Sequence, residues 1–280
     1  MKFVFFGTPR FAAAVLHELI KQGAVPAALV TNPDMPVGRK KIVTPPETKA
    51  VLQSLNIDIP VFQPKKLDTD FLLELRSLNA DLFIVCAYGK IFPDAFIDIP
   101  KYGMVNIHPS LLPKYRGSSP VQTAILNGET KTGVTLFRID SDMDHGPIFM
   151  KEEVDIGSDD NTPSMFEKMA VVSAKMIADR LLPNIASLVP KEQDHEAATY
   201  TKKFATSDGF IEYTDIKKAE QGEHDLAFAI DRRIRALYPE PGCWTMDGVK
   251  RLKLLDSEVI DGKLKLKSIQ YEGKNPVILK

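Results

Sequence analysis

Asn106 and His108 stand two residues apart in Gly103 to Arg116, read GMVNIHPSLLPKYR, a stretch that opens as an apolar strand. A strand alternates its faces, so the amide and the imidazole are expected on the same side. A fixed amide donor beside an ionisable ring can stabilise developing negative charge and move a proton. The loop that follows contains Pro109, Pro113 and Gly117, too much rigid and permissive backbone for a strand, and loops of this kind bind ligands. Downstream, DSDMDHG from Asp140 to Gly146 follows an apolar run from Gly133 to Ile139 and puts carboxylates, including Asp144, at the mouth of a sheet. Each feature alone has a plainer reading. An Asn and a His at a strand end are usually satisfied polar groups. An aspartate-rich turn is usually solvated, and this one lacks the closing glutamate of an EF-hand.

The elements that would position these groups follow from periodicity. Short apolar runs, Phe3 to Phe6, Ala27 to Thr31 and Leu82 to Ala87, alternate with helical patterns such as Phe11 to Leu19 and Val51 to Leu55. That rhythm predicts a Rossmann-like α/β fold, a mostly parallel sheet with helices on both faces. Thr8-Pro9, Ser119-Pro120 and Thr162-Pro163 each read as a helix start, with proline at the first helical position and the hydroxyl before it as cap. Apolar residues from Met165 to Leu181 recur at helical spacing and predict one amphipathic helix whose methionines face a core.

Residues 1–189 are therefore expected to form the catalytic domain, 190–203 a polar linker, and 204–280 a small, mainly β domain. In the last of these, Asp225 to Leu237 reads as a helix. Arg251 to Leu255 and Leu264 to Ile269 read as strands joined through Asp261-Gly262.

Composition narrows the class. The 280 residues are 44% hydrophobic and 26% charged, an ordinary globular balance, and 36 basic against 37 acidic residues leave no global footprint for nucleic acid or membrane. Any nucleic-acid contact must be local. Cys86 and Cys243 fit neither a disulfide framework nor a zinc spacing, which points to a reducing, cytoplasmic setting and no metal. No apolar run is long enough to span a bilayer, so no membrane partner is expected.

Taken together, FFGTP at Phe5 to Pro9, AYG at Ala87 to Gly89, NIHPSLLPKYRG at Asn106 to Gly117, TGVT at Thr132 to Thr135 and D-x-D-x-G at Asp142 to Gly146 resemble the methionyl-tRNA formyltransferase family. The resemblance spans nearly the whole chain. It implies a formyl group carried from 10-formyltetrahydrofolate to the amine of methionyl-initiator tRNA, with no metal. It also implies that Asn106, His108 and Asp144 form the catalytic trio. Asp144 would either favour a proton on His108 by its opposite charge or take the amine proton itself. Ser110, Leu111, Leu112 and Pro113, with backbone at Tyr88, Gly89, Lys90 and Ile91, would hold the folate, and the C-terminal domain would be an OB-like barrel that binds tRNA.

The acceptor is signalled less directly. Asn32 to Lys49 is longer than the usual connection of about 2 to 6 residues and carries Arg39, Lys40 and Lys41 behind Gly38. The family has a similar basic insertion at this point, which implies tRNA contact. Lys263, Lys265 and Lys267 alternate with Leu264 and Leu266, which places three cations on one strand face. The chain departs from the family pattern at His145 and in the turn Leu237 to Gly242, with Tyr238 and Glu240 where Asn and Trp are usual. Two alternatives share the chemistry: formylation of a sugar amine, and hydrolysis of the folate donor. A dinucleotide-binding module is disfavoured because Gly7-Thr8-Pro9-Arg10-Phe11 lacks G-x-G-x-x-G.

Overall fold

The computed structural model describes residues 1–38 and 40–279 and divides into two compact units. The first comprises Met1–Arg116, Gly133–Val154 and Phe166–Thr199; the second comprises Gly117–Thr132, Asp155–Met165 and Tyr200–Lys280.

The first unit is built on a seven-stranded sheet. Its strands are β1 (Phe3–Gly7), β2 (Ala28–Val30), β3 (Val61–Phe62), β4 (Leu82–Cys86), β5 (Met104–His108), β6 (Lys131–Arg138) and β7 (Ile148–Asp155), in spatial order β7-β6-β5-β4-β1-β2-β3. The β3 to β5 half is parallel, and β6 runs antiparallel to β5. Every residue of β1 and β4 is buried. Their unbroken apolar runs suit strands covered on both faces, where alternation would waste a core position. The helix Arg10–Lys21 buries Phe11, Ala12, Val15, Leu16 and Leu19 on one stripe.

Proline takes the first helical position only at Pro120, since Pro9 is the residue before the helix Arg10–Lys21 and Thr162 rather than Pro163 opens the third, and none of the three hydroxyls caps its helix. Thr8 Oγ1 accepts from the Asn32 amide at 3.2 Å, Ser119 makes no side-chain cap, and Thr162 Oγ1 donates to the Ala236 carbonyl at 2.6 Å. The long helix begins at Thr162 and is α-helical to Lys175, then widens to π geometry over Met176–Leu181 before a last turn at Leu182–Asn184. Pro183 lacks an amide, and its ring would crowd the carbonyl four residues back in a regular α-helix.

In the second unit β8 (Cys243–Asp247), β9 (Lys250–Ile260), β10 (Lys263–Tyr271) and β11 (Val277–Ile278) form an antiparallel sheet in sequential order. Asp261 and Gly262 take φ of 48° and 74°, the left-handed pair that a tight two-residue hairpin requires. The helices Tyr213–Gln221 and His224–Leu237 close one face with a core that includes Ile216, Ile230, Ile234, Leu252, Leu254 and Leu264.

Candidate active site

Asn106 and His108 occupy the carboxyl end of β5, where Asn106 lies opposite Val85 on β4 and Phe137 on β6. Buried strands on both sides fix this backbone, so the two side chains emerge from the sheet with little freedom. His108 is 3% exposed. Its Nε2 lies 2.9 Å from the Tyr115 carbonyl oxygen, which can only accept, so Nε2 carries a hydrogen. The other ring nitrogen, Nδ1, is 3.7 Å from Asp144 Oδ2. The position at which this imidazole can exchange a proton with a ligand is thus Nδ1, beside a carboxylate. Asn106 is partly exposed, and among the described residues its side-chain amide has no protein hydrogen bond.

Asp144 arrives by a less direct route. The Ile139 amide donates to the Met104 carbonyl at 2.8 Å, so the loop after β6 leaves the sheet beside the start of β5 and has to double back to reach His108. Two features of the loop reflect that reversal. Asp144 takes φ of 51°, a left-handed conformation that costs a non-glycine residue about 1 to 3 kcal/mol unless its surroundings impose it. Gly146 lies so near β6 that a Cβ would overlap the Arg138 carbonyl oxygen. The neighbouring His145 ring is engaged elsewhere: Nδ1 lies 2.7 Å from Asp140 Oδ2, and the ring stacks on His195 with centroids 4.0 Å apart.

The Ser110 to Pro113 bend is shaped by the TGVT segment. Thr135 Oγ1 donates to the Ser110 carbonyl at 2.6 Å and accepts from the Leu112 amide at 3.1 Å, while a side chain at Gly133 would collide with Leu111. Ser110 and Leu112 are fully buried with their backbone groups hydrogen-bonded inside the protein, and Ser110 Oγ donates to the Lys114 carbonyl at 2.6 Å, so these two shape the bend rather than face a ligand. Leu111 and Pro113 remain partly exposed. At the end of β4, Gly89 takes φ of 78° with open space beside it, and Ile91 is 92% exposed. Tyr88 turns the other way, into an aromatic cluster with Phe6 and Phe92, where burial pushes its phenol up to about 12. Lys90 Nζ donates to the Lys65 carbonyl at 3.3 Å, and burial lowers its pKa from the usual lysine range.

The Asn32 to Lys49 segment forms a hairpin, Met35–Val37 against Ile42–Thr44. Lys40 and Lys41 lie in its turn, and Arg39 lies outside the described residues. Among the described residues neither lysine is within ion-pair distance of a carboxylate. The hairpin also exposes Met35, Val37, Ile42 and Val43, an apolar body that charge counting does not reveal. Its base is anchored to the sheet edge: Lys49 Nζ lies 2.9 Å from both Asp34 oxygens, and Gln63 Nε2 donates to Asn32 O at 2.8 Å and Asp34 Oδ1 at 2.7 Å. The Gln63 bond, then Lys49, holds the Asp34 carboxyl below its ordinary value.

In the second unit Lys263, Lys265 and Lys267 do alternate with Leu264 and Leu266 on β10. Two of the three face acids across the hairpin, with Lys265 3.8 Å from Glu258 and Lys267 3.2 Å from Asp256. The patch is therefore less cationic than its sequence.

The residues that sequence reasoning missed lie in the stretch read as a linker. Ile148 and Lys191 exchange backbone hydrogen bonds at 2.7 and 2.8 Å, and the Thr199 carbonyl accepts from the Arg116 amide at 2.8 Å. Thr199 Oγ1 accepts from the Tyr115 amide at 2.8 Å. Gln193, 6% exposed, donates to the Asp144 and Gly146 carbonyls. A run of charged and small residues gives no periodic signal of such bracing.

Comparison with known proteins agrees with this architecture. Residues 1–181 match the family model for formyl transferase, and residues 224–279 match that for the formyl transferase C-terminal domain. The methionyl-tRNA formyltransferase of Thermodesulfovibrio yellowstonii is 40% identical over 280 residues, 99% of this chain and 86% of that protein. That of Citrifermentans bemidjiense is 38% identical over 266 residues, 94% of this chain and 79% of that protein. Among solved structures, the methionyl-tRNA formyltransferase from Clostridium thermocellum has a TM-score of 0.61 at 18% identity, covering 97% of this chain and 98% of that one. An N-formyltransferase from Helicobacter canadensis gives 0.61 at 20% identity, over 93% and 88%. At those identities the structures share the fold; the sequence relatives carry the kinship further, and on their strength the chain belongs to the methionyl-tRNA formyltransferase family.

Proposed function

We propose that this chain transfers the formyl group of 10-formyltetrahydrofolate to the α-amine of methionyl-initiator tRNA. The observation that carries the site assignment is the partnerless Asn106 amide beside a His108 ring whose Nδ1 faces Asp144 at 3.7 Å. The amine lone pair attacks the formyl carbon, and the carbonyl π pair moves to oxygen as an oxyanion. The Asn106 amide donates to that oxygen, a contact that strengthens as charge develops. The former amine nitrogen now bears a positive charge and loses its extra proton at the His108 Nδ1 and Asp144 position. Collapse restores the carbonyl, breaks the bond to N10 and leaves tetrahydrofolate, with N10 gaining a proton. An α-amine of ordinary value near roughly 8 is partly neutral at pH 7, so the attack itself needs no strong base. Proton removal after attack is the demand that the His108–Asp144 pair meets.

The folate would lie against the partly exposed Leu111 and Pro113 of the bend and the exposed Gly89 and Ile91, with Ser110 and Leu112 shaping the bend from beneath. Arg39, Lys40 and Lys41 in the Asn32 to Lys49 segment would contact the tRNA, as would Lys263, Lys265 and Lys267 of the C-terminal domain. Among the described residues no cluster of His, Cys, Asp and Glu could hold a metal, and no helix is long and apolar enough to cross a membrane.

The test is an acceptor assay in which 10-formyltetrahydrofolate is offered with charged initiator tRNA and, separately, with a panel of amino sugars. Formylation of the tRNA is expected to exceed that of any sugar in kcat/KM. A sugar that reacts faster, or donor hydrolysis at the same rate without acceptor, would reject the assignment. A second expectation concerns the returning loop. Gly146→Ala should push Asp144 away from His108 and lower kcat by about 10²-fold, as misplacement of roughly 1 Å does, with little change in folate affinity. Unchanged single-turnover kinetics would show that the loop tolerates the displacement.

A further inference from the structure

The separation between His108 and Asp144 is set by two loops, and hydrogen bonds through the Tyr115–Arg116 peptide step link the loops on the side away from the pair. From His108 Nε2 the path leads to the Tyr115 carbonyl at 2.9 Å. The next residue, Arg116, is 2% exposed, and its Nε and Nη2 donate to Gln193 Oε1 at 3.2 and 2.7 Å. Gln193 Nε2 then donates to the carbonyls of Asp144 at 3.0 Å and Gly146 at 2.8 Å. On the side of the pair itself, Asp144 Oδ2 lies 3.7 Å from His108 Nδ1.

The chemistry of the links restricts the residue at position 193. A guanidinium only donates and a carbonyl only accepts, so the bridge between them must accept at one end and donate at the other. A primary amide does both without adding a charge, and glutamine has the reach to do so here. The bridge is also needed where it stands. Tyr115 and Asp144, the residues it serves on either side, are both non-glycine residues in the left-handed region, with φ of 62° and 51°. Such conformations persist when the surroundings over-determine them.

We propose that Gln193, anchored by Arg116, is a positioning residue for formyl transfer, holding the Asp144 carboxylate in register with His108. This rests on the formyl-transfer reading above and adds a residue from outside the catalytic loops. Gln193→Glu is the informative variant. It keeps an acceptor for Arg116, which supports folding, but has no donor for the two carbonyls and sets a carboxylate against them.

The experiment measures single-turnover formylation of charged initiator tRNA by the full chain, and binding of a folate analogue by calorimetry. The proteins compared are wild type, Gln193→Glu, Gln193→Ala, Asp144→Asn and the double variant Gln193→Ala with Asp144→Asn. Both Gln193 variants should lose about 10²-fold in rate, with donor affinity held within about threefold of wild type. The double variant should be no slower than Asp144→Asn alone, because Gln193 acts through that carboxylate. Should Gln193→Ala not fold, Gln193→Glu carries the same comparison by itself and in the Asp144→Asn background. A Gln193→Glu protein as fast as wild type, losses that multiply in the double variant, or donor binding that falls in step with rate would each overturn the proposal. A wild-type protein that forms no formyl-methionyl-tRNA would overturn the functional reading and this proposal with it; an active wild type with an unimpaired Gln193→Glu overturns this proposal alone.

Discussion

Asn106→Ala should lower kcat for formyl transfer by about 10² to 10³, the usual consequence of removing one donor from a developing oxyanion. Folate affinity should be nearly unchanged, because the proposed contact acts on charge that the ground state does not carry. This variant is a clean probe: the Asn106 side chain has no protein hydrogen bond among the described residues, so its removal orphans no buried partner. His108→Ala should cost at least as much rate but is harder to read. It deletes a ring that is 3% exposed and withdraws the donor from the Tyr115 carbonyl, so stability falls as well. Asp144→Asn keeps the loop's shape while removing the charge, and should lower kcat and alter its pH profile. Rapid-quench formylation and calorimetry with a folate analogue separate the effects. Wild-type turnover in Asn106→Ala would refute the oxyanion assignment, and an unaltered pH profile in Asp144→Asn would refute its part in proton transfer.

The second large effect concerns salt. If Lys40 and Lys41 contact phosphates, each contact releases condensed counterions, and kcat/KM for tRNA must fall steeply between low and moderate ionic strength. Replacing both by alanine should flatten the log–log slope by roughly 1.4 to 1.8, and including Arg39 should flatten it further. Lys265→Ala with Lys267→Ala should do less, because those cations already face Glu258 and Asp256. Donor hydrolysis without acceptor serves as the control and should not move. An unaltered slope in the hairpin variant would remove tRNA phosphate binding from that element and leave the formyl-transfer chemistry standing. Substitution is preferable to truncation at Thr199. The second unit also contains the helix Pro120–Leu126 and the segment Asp155–Met165, and Thr162 bonds to Ala236 within it, so truncation would strip partners from both.

Much of the first unit was legible from local pattern. The buried runs of β1 and β4 could only be strands covered on both faces, and period-two alternation by itself put Asn106 and His108 on one side of β5. The Asp261-Gly262 hairpin was equally readable, since few other pairs adopt two successive left-handed residues. The motifs that carried the family resemblance were also local, and TGVT turned out to brace the Ser110 to Pro113 bend through Thr135 and Gly133.

Other features depended on contacts that no local pattern encodes. The hydroxyls of Thr8 and Thr162 were readable as caps, yet neither residue holds the cap position and each hydroxyl bonds a distant backbone group instead. Which nitrogen of His108 faces Asp144 was decided by one carbonyl seven residues along, and the arrival of Asp144 by a loop that doubles back past β5. Gln193 reads in sequence as one polar residue among charged ones, because its partners lie 47 to 77 positions away. Periodicity and turn chemistry act within a few residues, and so the sequence by itself determined the strands, the shared face of Asn106 and His108, and the hairpin turn. Hydrogen bonds between distant backbone and side-chain groups exist only once the chain has folded, so only the tertiary structure decided which atoms meet at the site and what braces them.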